Sequence, residues 1–257
     1  MYRLSRLVHR YVRLLTTLAV CVAAGVAGAQ ELTVSAAASL TDAFREIGKA
    51  FEATKPGTRL VFNFAASGPL LQQIAQGAPV DVFATADQET MDRAQSQSLL
   101  AADSRATFAA NALVLVVPAA ATAVPRALAD LGAPAYKRIA TGNPASVPVG
   151  RYAREALAAA GLADALKDKL IFADSVRQVL AYVARAEVDA GFTYRTDALV
   201  DAGKVRVALE LPTKTPVTYP IAAVAASKQP ALAREFIAYV RSAPAQAVLA
   251  RFGFSAP

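Results

Sequence analysis

Apolar positions along this chain repeat with two periods, and the periods alternate. Leu40, Ala43, Phe44, Ile47 and Phe51 recur at three- and four-residue steps and predict a helix over 40–52 with one apolar face. Short apolar runs at 32–34 and 58–64 predict strands on either side of it. A second helix is expected over 70–76, ended by Gly77 and Pro79, then a strand over 80–84. Asp87 then stands as the cap of a helix that opens with Gln88-Glu89. Further on, 113–117 is a continuous apolar strand that stops at Pro118, and strands follow at 138–140, 171–172 and 190–194. Helices are expected over 150–160 and 175–186. A strand over 219–224 and two helices close the chain. Repeated βαβ units imply open, mostly parallel sheets flanked by helices. The pattern parses as two α/β lobes, 30–110 and 111–218, with 219–257 returning to the first.

The first 29 residues stand apart. Arg3, Arg6, Arg10 and Arg13 form a basic start without an acid, 14–26 is apolar, and Ala27-Gly28-Ala29 fits a small-residue cleavage site. This reads as a secretory signal peptide cut after Ala29, too short in its apolar part for a membrane span. Lipid attachment at Cys21 is disfavoured by the bulky Val20 before it.

Removing the leader changes the chemistry on offer. The chain has 27 basic and 20 acidic residues, and the four leader arginines leave 23 against 20, near +3. No basic run remains to suggest nucleic acid. His9 and Cys21, the only His and Cys, also go with the leader. That excludes Ser-His-Asp and Cys-His nucleophiles, imidazole or thiolate metal sites and disulfides from the mature chain. The absence of Trp weakens a sugar-stacking reading.

Two segments, 34–41 and 62–70, each read as a strand ending in small residues and a serine before a helix. A serine hydroxyl beside free N–H groups at a helix start suits an anion. Ser39 also reads as a helix cap, unless Thr41 or Asp42 takes that role. Ser67 precedes Gly68-Pro69, where the helix is expected to start at the proline and the glycine to admit close approach of a ligand. In the second half, Val149 lies at the end of a Pro- and Gly-fixed loop, and Val176 follows Asp174, the expected cap. Arg177 reads as a solvated or structural charge. Tyr194 ends a strand, where a cleft hydroxyl would sit. These groups offer hydroxyls and amides with no obvious carboxylate, a set suited to a fully ionised oxyanion, which only accepts hydrogen bonds.

Taken in order, Ala36–Thr41, Gly77–Asp87, Val147–Leu157, Asp174–Arg177 and Tyr194–Ala198 resemble the periplasmic molybdate-binding proteins of ATP-driven importers, and the similarity runs through Arg251-Phe252-Gly253-Phe254. The resemblance implies the two-lobed type II periplasmic-binding-protein fold, with a ligand cleft between the lobes. It implies a tetrahedral dianion, molybdate or tungstate, held through its oxygens with no direct protein ligand to the metal. The hydroxyls would come from Ser39, Ser67 and Tyr194, and the backbone amides from Val149 and Val176. The implied protein is a monomeric, non-enzymatic periplasmic carrier that needs no cofactor, binds no nucleic acid and delivers its anion to a membrane permease. Two positions depart from the pattern: Gly68 replaces a frequent second serine, and Val149 a frequent alanine. Sulfate or an organic anion clamped by Arg151, Arg177 or Arg195 is the alternative ligand, and an exported Ser-Lys hydrolase the alternative class. With no reference pKa among the site groups near neutrality, affinity is expected to be flat from about pH 6 to 9.

Overall fold

The computed structural model describes residues 30–257. The basic start, its apolar run and the expected cleavage after Ala29 lie outside the described residues. The first sheet is built from β1 (Gln30–Ala37), β2 (Thr58–Ala65), β3 (Val82–Ala84), β4 (Ala106–Asn111) and, much later, β10 (Val217–Ala223), in the order β2-β1-β3-β10-β4. The second holds β5 (Leu113–Pro118), β6 (Ile139–Gly142), β7 (Leu170–Ala173), β8 (Ala190–Tyr194) and β9 (Val205–Leu211), in the order β7-β6-β8-β5-β9. Both sheets are mixed. β1 pairs parallel with β2 and β3, whereas β10 runs against β3 and β4. Likewise β6 pairs parallel with β7 and β8, and β5 runs against β8 and β9. Four strands in each sheet therefore share a direction, and one strand reverses it.

The helices follow the predicted alternation. In the first lobe, α1 (Thr41–Thr54), α2 (Ser67–Ala75) and α3 (Gln88–Ser96) each follow a strand. In the second, α4 (Pro148–Ala159), the short α5 (Ala163–Leu166), α6 (Val176–Ala184) and α7 (Arg195–Val200) continue the alternation. Helices α8 (Pro230–Val240) and α9 (Ala243–Arg251) end the chain. The apolar face of α1 is buried as its spacing predicts, and Phe44 lies at the centre of the first core with the rings of Phe62, Phe108 and Phe236 around it. Strand β5 is apolar on both faces because both are covered: Leu113, Leu115 and Val117 join one core, and Val114 and Val116 another.

Several boundaries shift for local reasons. α4 starts at Pro148 rather than 150, because a proline at the first helical position gives up no hydrogen bond. α2 starts at Ser67 rather than Pro69, which becomes its third residue. β4 and β9 are not among the strands expected from the sequence. The first is alanine-rich and has little β propensity, whereas the second, Val205-Arg206-Val207-Ala208-Leu209-Glu210-Leu211, alternates as an edge strand should, a signal that sequence reasoning missed. The chain leaves the first sheet after Asn111, enters the second at Leu113 and returns between Leu211 and Val217. Two adjacent crossings of this kind form a hinge, and the carboxyl ends of β1, β2, β6, β7 and β8 meet beside it.

Candidate functional site

The structure brings Ser39, Ser67, Val149, Val176 and Tyr194 together around one small cavity of about 10 Å³ between the lobes, floored by Ala37, Ala38, Ala66 and Ala86. Each comes from the carboxyl end of a strand or from the helix start that follows it, where open α/β sheets place ligands.

Ser39 sits in a 3-10 turn between β1 and α1, not at a cap. Thr41 turns its hydroxyl back to the Ala38 carbonyl, and α1 has no side-chain cap. The Ser39 hydroxyl instead lies 3.0 Å from that of Tyr219 on β10. Ser67 is the first residue of α2 and fully buried. Its oxygen accepts a hydrogen bond from the Ala86 amide at 3.1 Å, which leaves its proton free.

The close approach that Gly68 permits is to the other lobe, not to a ligand. Its N–H donates to the Ser146 carbonyl at 3.0 Å across the cleft. A Cβ at position 68 would overlap that carbonyl oxygen and stand 2.9 Å from the Ser146 Cα. In the first turn of α2, the Gly68 N–H therefore goes to the facing lobe, and Pro69 has none to offer.

On the facing lobe, Val149 is the second residue of α4, where its N–H falls outside the intrahelical ladder, and no side chain caps that helix. Val176 is the first residue of α6. The cap of α6 is Ser175, which accepts from the Gln178 amide at 3.2 Å. This corrects the expectation for Asp174, whose backbone N–H is instead held by the Gln178 side chain.

Tyr194 carries the clearest signal. It is 1% exposed and lines the cavity, yet its hydroxyl has no hydrogen-bond partner among the described residues. Its ring stands edge-on to Tyr152 and Tyr219, at 6.4 and 6.1 Å between centroids. Burial pushes all three phenols above the ordinary tyrosine range, so their hydroxyls keep their protons.

Ion pairs join the lobes on either side of the cavity. Asp87 caps α3 as expected, accepting from the Thr90 amide, and also holds Arg151 of the other lobe through two hydrogen bonds of 2.8 and 2.5 Å. Both side chains are buried, and Arg151 also donates to the Thr90 hydroxyl. On the other side, Arg177 lies 2.7 Å from Asp42 of the first lobe and 2.6 Å from Asp197 of its own. Burial opposes the charge on Arg177, but the two carboxylates outweigh it and hold its pKa up. Arg195 pairs with Glu210 at the surface. All three arginines considered as clamps for a carboxylate ligand thus have partners, and none lines the cavity.

Sequence reasoning missed Tyr219, Asn111, Tyr152 and Asp197. Asp197 is fully buried beside Arg177, and burial, opposed by that arginine, pushes its carboxyl up to about 6. The flat pH window expected above therefore has a titrating carboxylate at its acid edge. The only local hint was its position in the first turn of α7, after the Tyr194 strand.

The family model described as bacterial extracellular solute-binding protein matches residues 32–255. The chain is 37% identical over 235 residues to the molybdate-binding protein ModA of Haemophilus influenzae, covering 90% of this chain and 92% of that one. It is 39% identical over 233 residues to the molybdate-binding protein ModA of Mycobacterium bovis, covering 90% and 86%. Among solved structures, the periplasmic molybdate-binding protein of Azotobacter vinelandii superposes with a TM-score of 0.79 at 24% identity, over 88% of this chain and 99% of that one, a likeness of fold.

Two outcomes follow from this geometry. Gly68→Ala is expected to hold the lobes apart, giving a larger radius of gyration by small-angle scattering with little change in thermal midpoint; an unchanged radius would show that the Ser146 contact does not limit closure. Asp197, with its pKa raised from 3.8 to about 6, adds stability that is complete below pH 4 and is lost as pH rises through about 6. Asp197→Asn lacks that slope, so its stability relative to the native protein should rise from pH 4.5 to 7.5, by about 2 kcal/mol. A pH-independent difference in calorimetric stability would refute the assignment.

Proposed function

The chain belongs to the bacterial extracellular solute-binding protein family, in the molybdate-binding group of ABC importers, and from that we propose that it captures molybdate, and tungstate with it, in the interlobe cavity. The observation that carries this reading is the buried, unpartnered Tyr194 hydroxyl, which shares the cavity with Ser39 and Ser67.

Four of the five groups there, Ser67, Tyr194, Val149 and Val176, present a proton. Ser67 accepts from the Ala86 amide, and its proton is left to donate. Tyr194 is held in its protonated form by burial. Val149 and Val176 contribute amides at helix starts, where the dipole favours an anion. A dianion of four oxygens accepts from all of them, whereas hydrogen phosphate must also donate and meets no acceptor among them. Five charge-assisted bonds give roughly 7–15 kcal/mol gross before ordering costs, enough for micromolar to nanomolar affinity.

Binding and closure are one event in this scheme. Ser39 and Ser67 belong to the first lobe, and Val149, Val176 and Tyr194 to the second. The anion completes the hydrogen bonds of both, and the Asp87–Arg151 and Asp42–Arg177 pairs form as the lobes meet. The closed form would be delivered to the membrane permease of the importer. Export through a leader cut after Ala29, a periplasmic location and a monomeric state complete the proposal. Sulfate remains the second reading, since it is also a fully ionised tetrahedral dianion. Its shorter bonds would leave these donors out of reach.

Titration calorimetry with molybdate, tungstate, sulfate and phosphate tests the assignment. Molybdate and tungstate should bind alike and far more tightly than the other two; equal or tighter sulfate binding would overturn it. Ser67→Ala and Tyr194→Phe should each weaken molybdate binding by about 1–3 kcal/mol, the worth of a charge-assisted bond. Native affinity in both variants would remove these hydroxyls from the site.

A further inference from the structure

Ser39 differs from the other cavity hydroxyls. It touches a second hydroxyl, and a serine oxygen in that position can either donate or accept. Which it does decides whether the cavity sees a proton or a lone pair. The groups behind it settle the direction.

The settling group is Asn111, the last residue of β4, at the first of the two hinge crossings. Its side-chain carbonyl accepts from the Ala112 amide at 2.9 Å, which fixes the amide so that its NH2 points the other way. That NH2 donates to the Tyr219 hydroxyl at 3.2 Å and to the Thr196 hydroxyl at 2.9 Å. An NH2 has nothing to accept with. Tyr219 is fully buried and burial keeps it protonated, so with its oxygen taken by Asn111 its own proton has one polar neighbour, the Ser39 oxygen. Leaving that proton unpaired would cost a buried hydrogen bond. Ser39 then accepts from Tyr219, and its remaining proton faces the cavity.

We propose that Asn111 and Tyr219 are positioning residues that force Ser39 to act as a hydrogen-bond donor, a directed relay running from the hinge into the cavity. The proposal rests on the reading of the cavity as an oxyanion site. It adds that selectivity against protonated anions is set in part by two residues that do not touch the ligand. The Asn111–Thr196 bond joins the first lobe to the second, so the relay is tied to the same hinge on which the lobes close.

A substitution that keeps the shape and reverses the direction tests this. Asn111→Asp keeps the oxygen that accepts from Ala112 and replaces the NH2 by an acceptor. Tyr219 would then donate to the introduced carboxylate, Ser39 would donate to Tyr219, and a lone pair would face the anion. The added charge also repels any anion, so the substitution is made both in the native protein and in Tyr219→Phe, where the relay is already cut. Calorimetry with molybdate should show a loss of at least 100-fold for Asn111→Asp in the native background. In the Tyr219→Phe background, charge repulsion alone should leave a loss under 10-fold. Equal losses in the two backgrounds would overturn the relay. Proton NMR of the native protein without ligand gives an independent reading: the slowly exchanging Tyr219 hydroxyl proton should show a cross-peak to the Ser39 β protons and vanish in Tyr219→Phe. Its absence overturns the relay whatever anion the cavity takes. Failure of molybdate to bind the native protein, with that cross-peak present, overturns the ligand assignment and leaves the relay standing.

Discussion

A buried hydroxyl proton without an acceptor costs about 1–3 kcal/mol, and this cleft gathers several such donors around one small space. The rest of the architecture is arranged so that they stay there. Apolar alanines and valines floor and wall the cavity, which keeps water from competing for the donors. Tyr152, Tyr194 and Tyr219 pack edge to face, and their burial keeps every phenol protonated. The Ala86 amide donates to the oxygen of Ser67. A folded state that buries unmet donors carries that cost until something completes them, and here the donors are split between two lobes.

Charge is kept at the rim for the same reason. A dianion could be held by arginine alone, but such a site would not distinguish one anion from another. Here Arg151, Arg177 and Arg195 are each already paired with a carboxylate, and two of those pairs span the lobes. Removing one partner of a buried pair costs about 3–5 kcal/mol because the other charge is left stranded. Asp87 and Arg151 therefore fix the docking register of the lobes more than they add net attraction. The residues that line the cavity itself are all neutral.

The parts of this arrangement that lie close together in the chain were legible from it. The Ser39 and Ser67 corners, the helix starts at Val149 and Val176 and the end of the Tyr194 strand are all local signals. Each is a strand or loop running into a helix start. What the sequence did not show is what these groups face. Tyr219 lies 180 residues from Ser39 and reaches it only because β10 inserts between β3 and β4. That insertion reverses one strand, and no periodicity encodes strand direction. Gly68 has the character of a place where a ligand approaches the backbone, and Ser146 of the other lobe stands there instead. The cap of α6 was misplaced by one residue because Asp174 and Ser175 are equally good candidates by type. Asp197 gave no sign of burial, since a carboxylate in the first turn of a helix is ordinarily solvated.

The cluster of tyrosines at the cleft has an optical consequence. The chain contains no tryptophan and eight tyrosines, so no indole emission masks the phenols. Three of the eight stand within about one ring's reach of each other at the junction of the lobes. Near-ultraviolet absorbance, circular dichroism and tyrosine fluorescence are thus weighted toward the one region where an occupied cleft differs from an open one. The protein carries its own label, placed at the site by the packing that keeps the hydroxyls protonated.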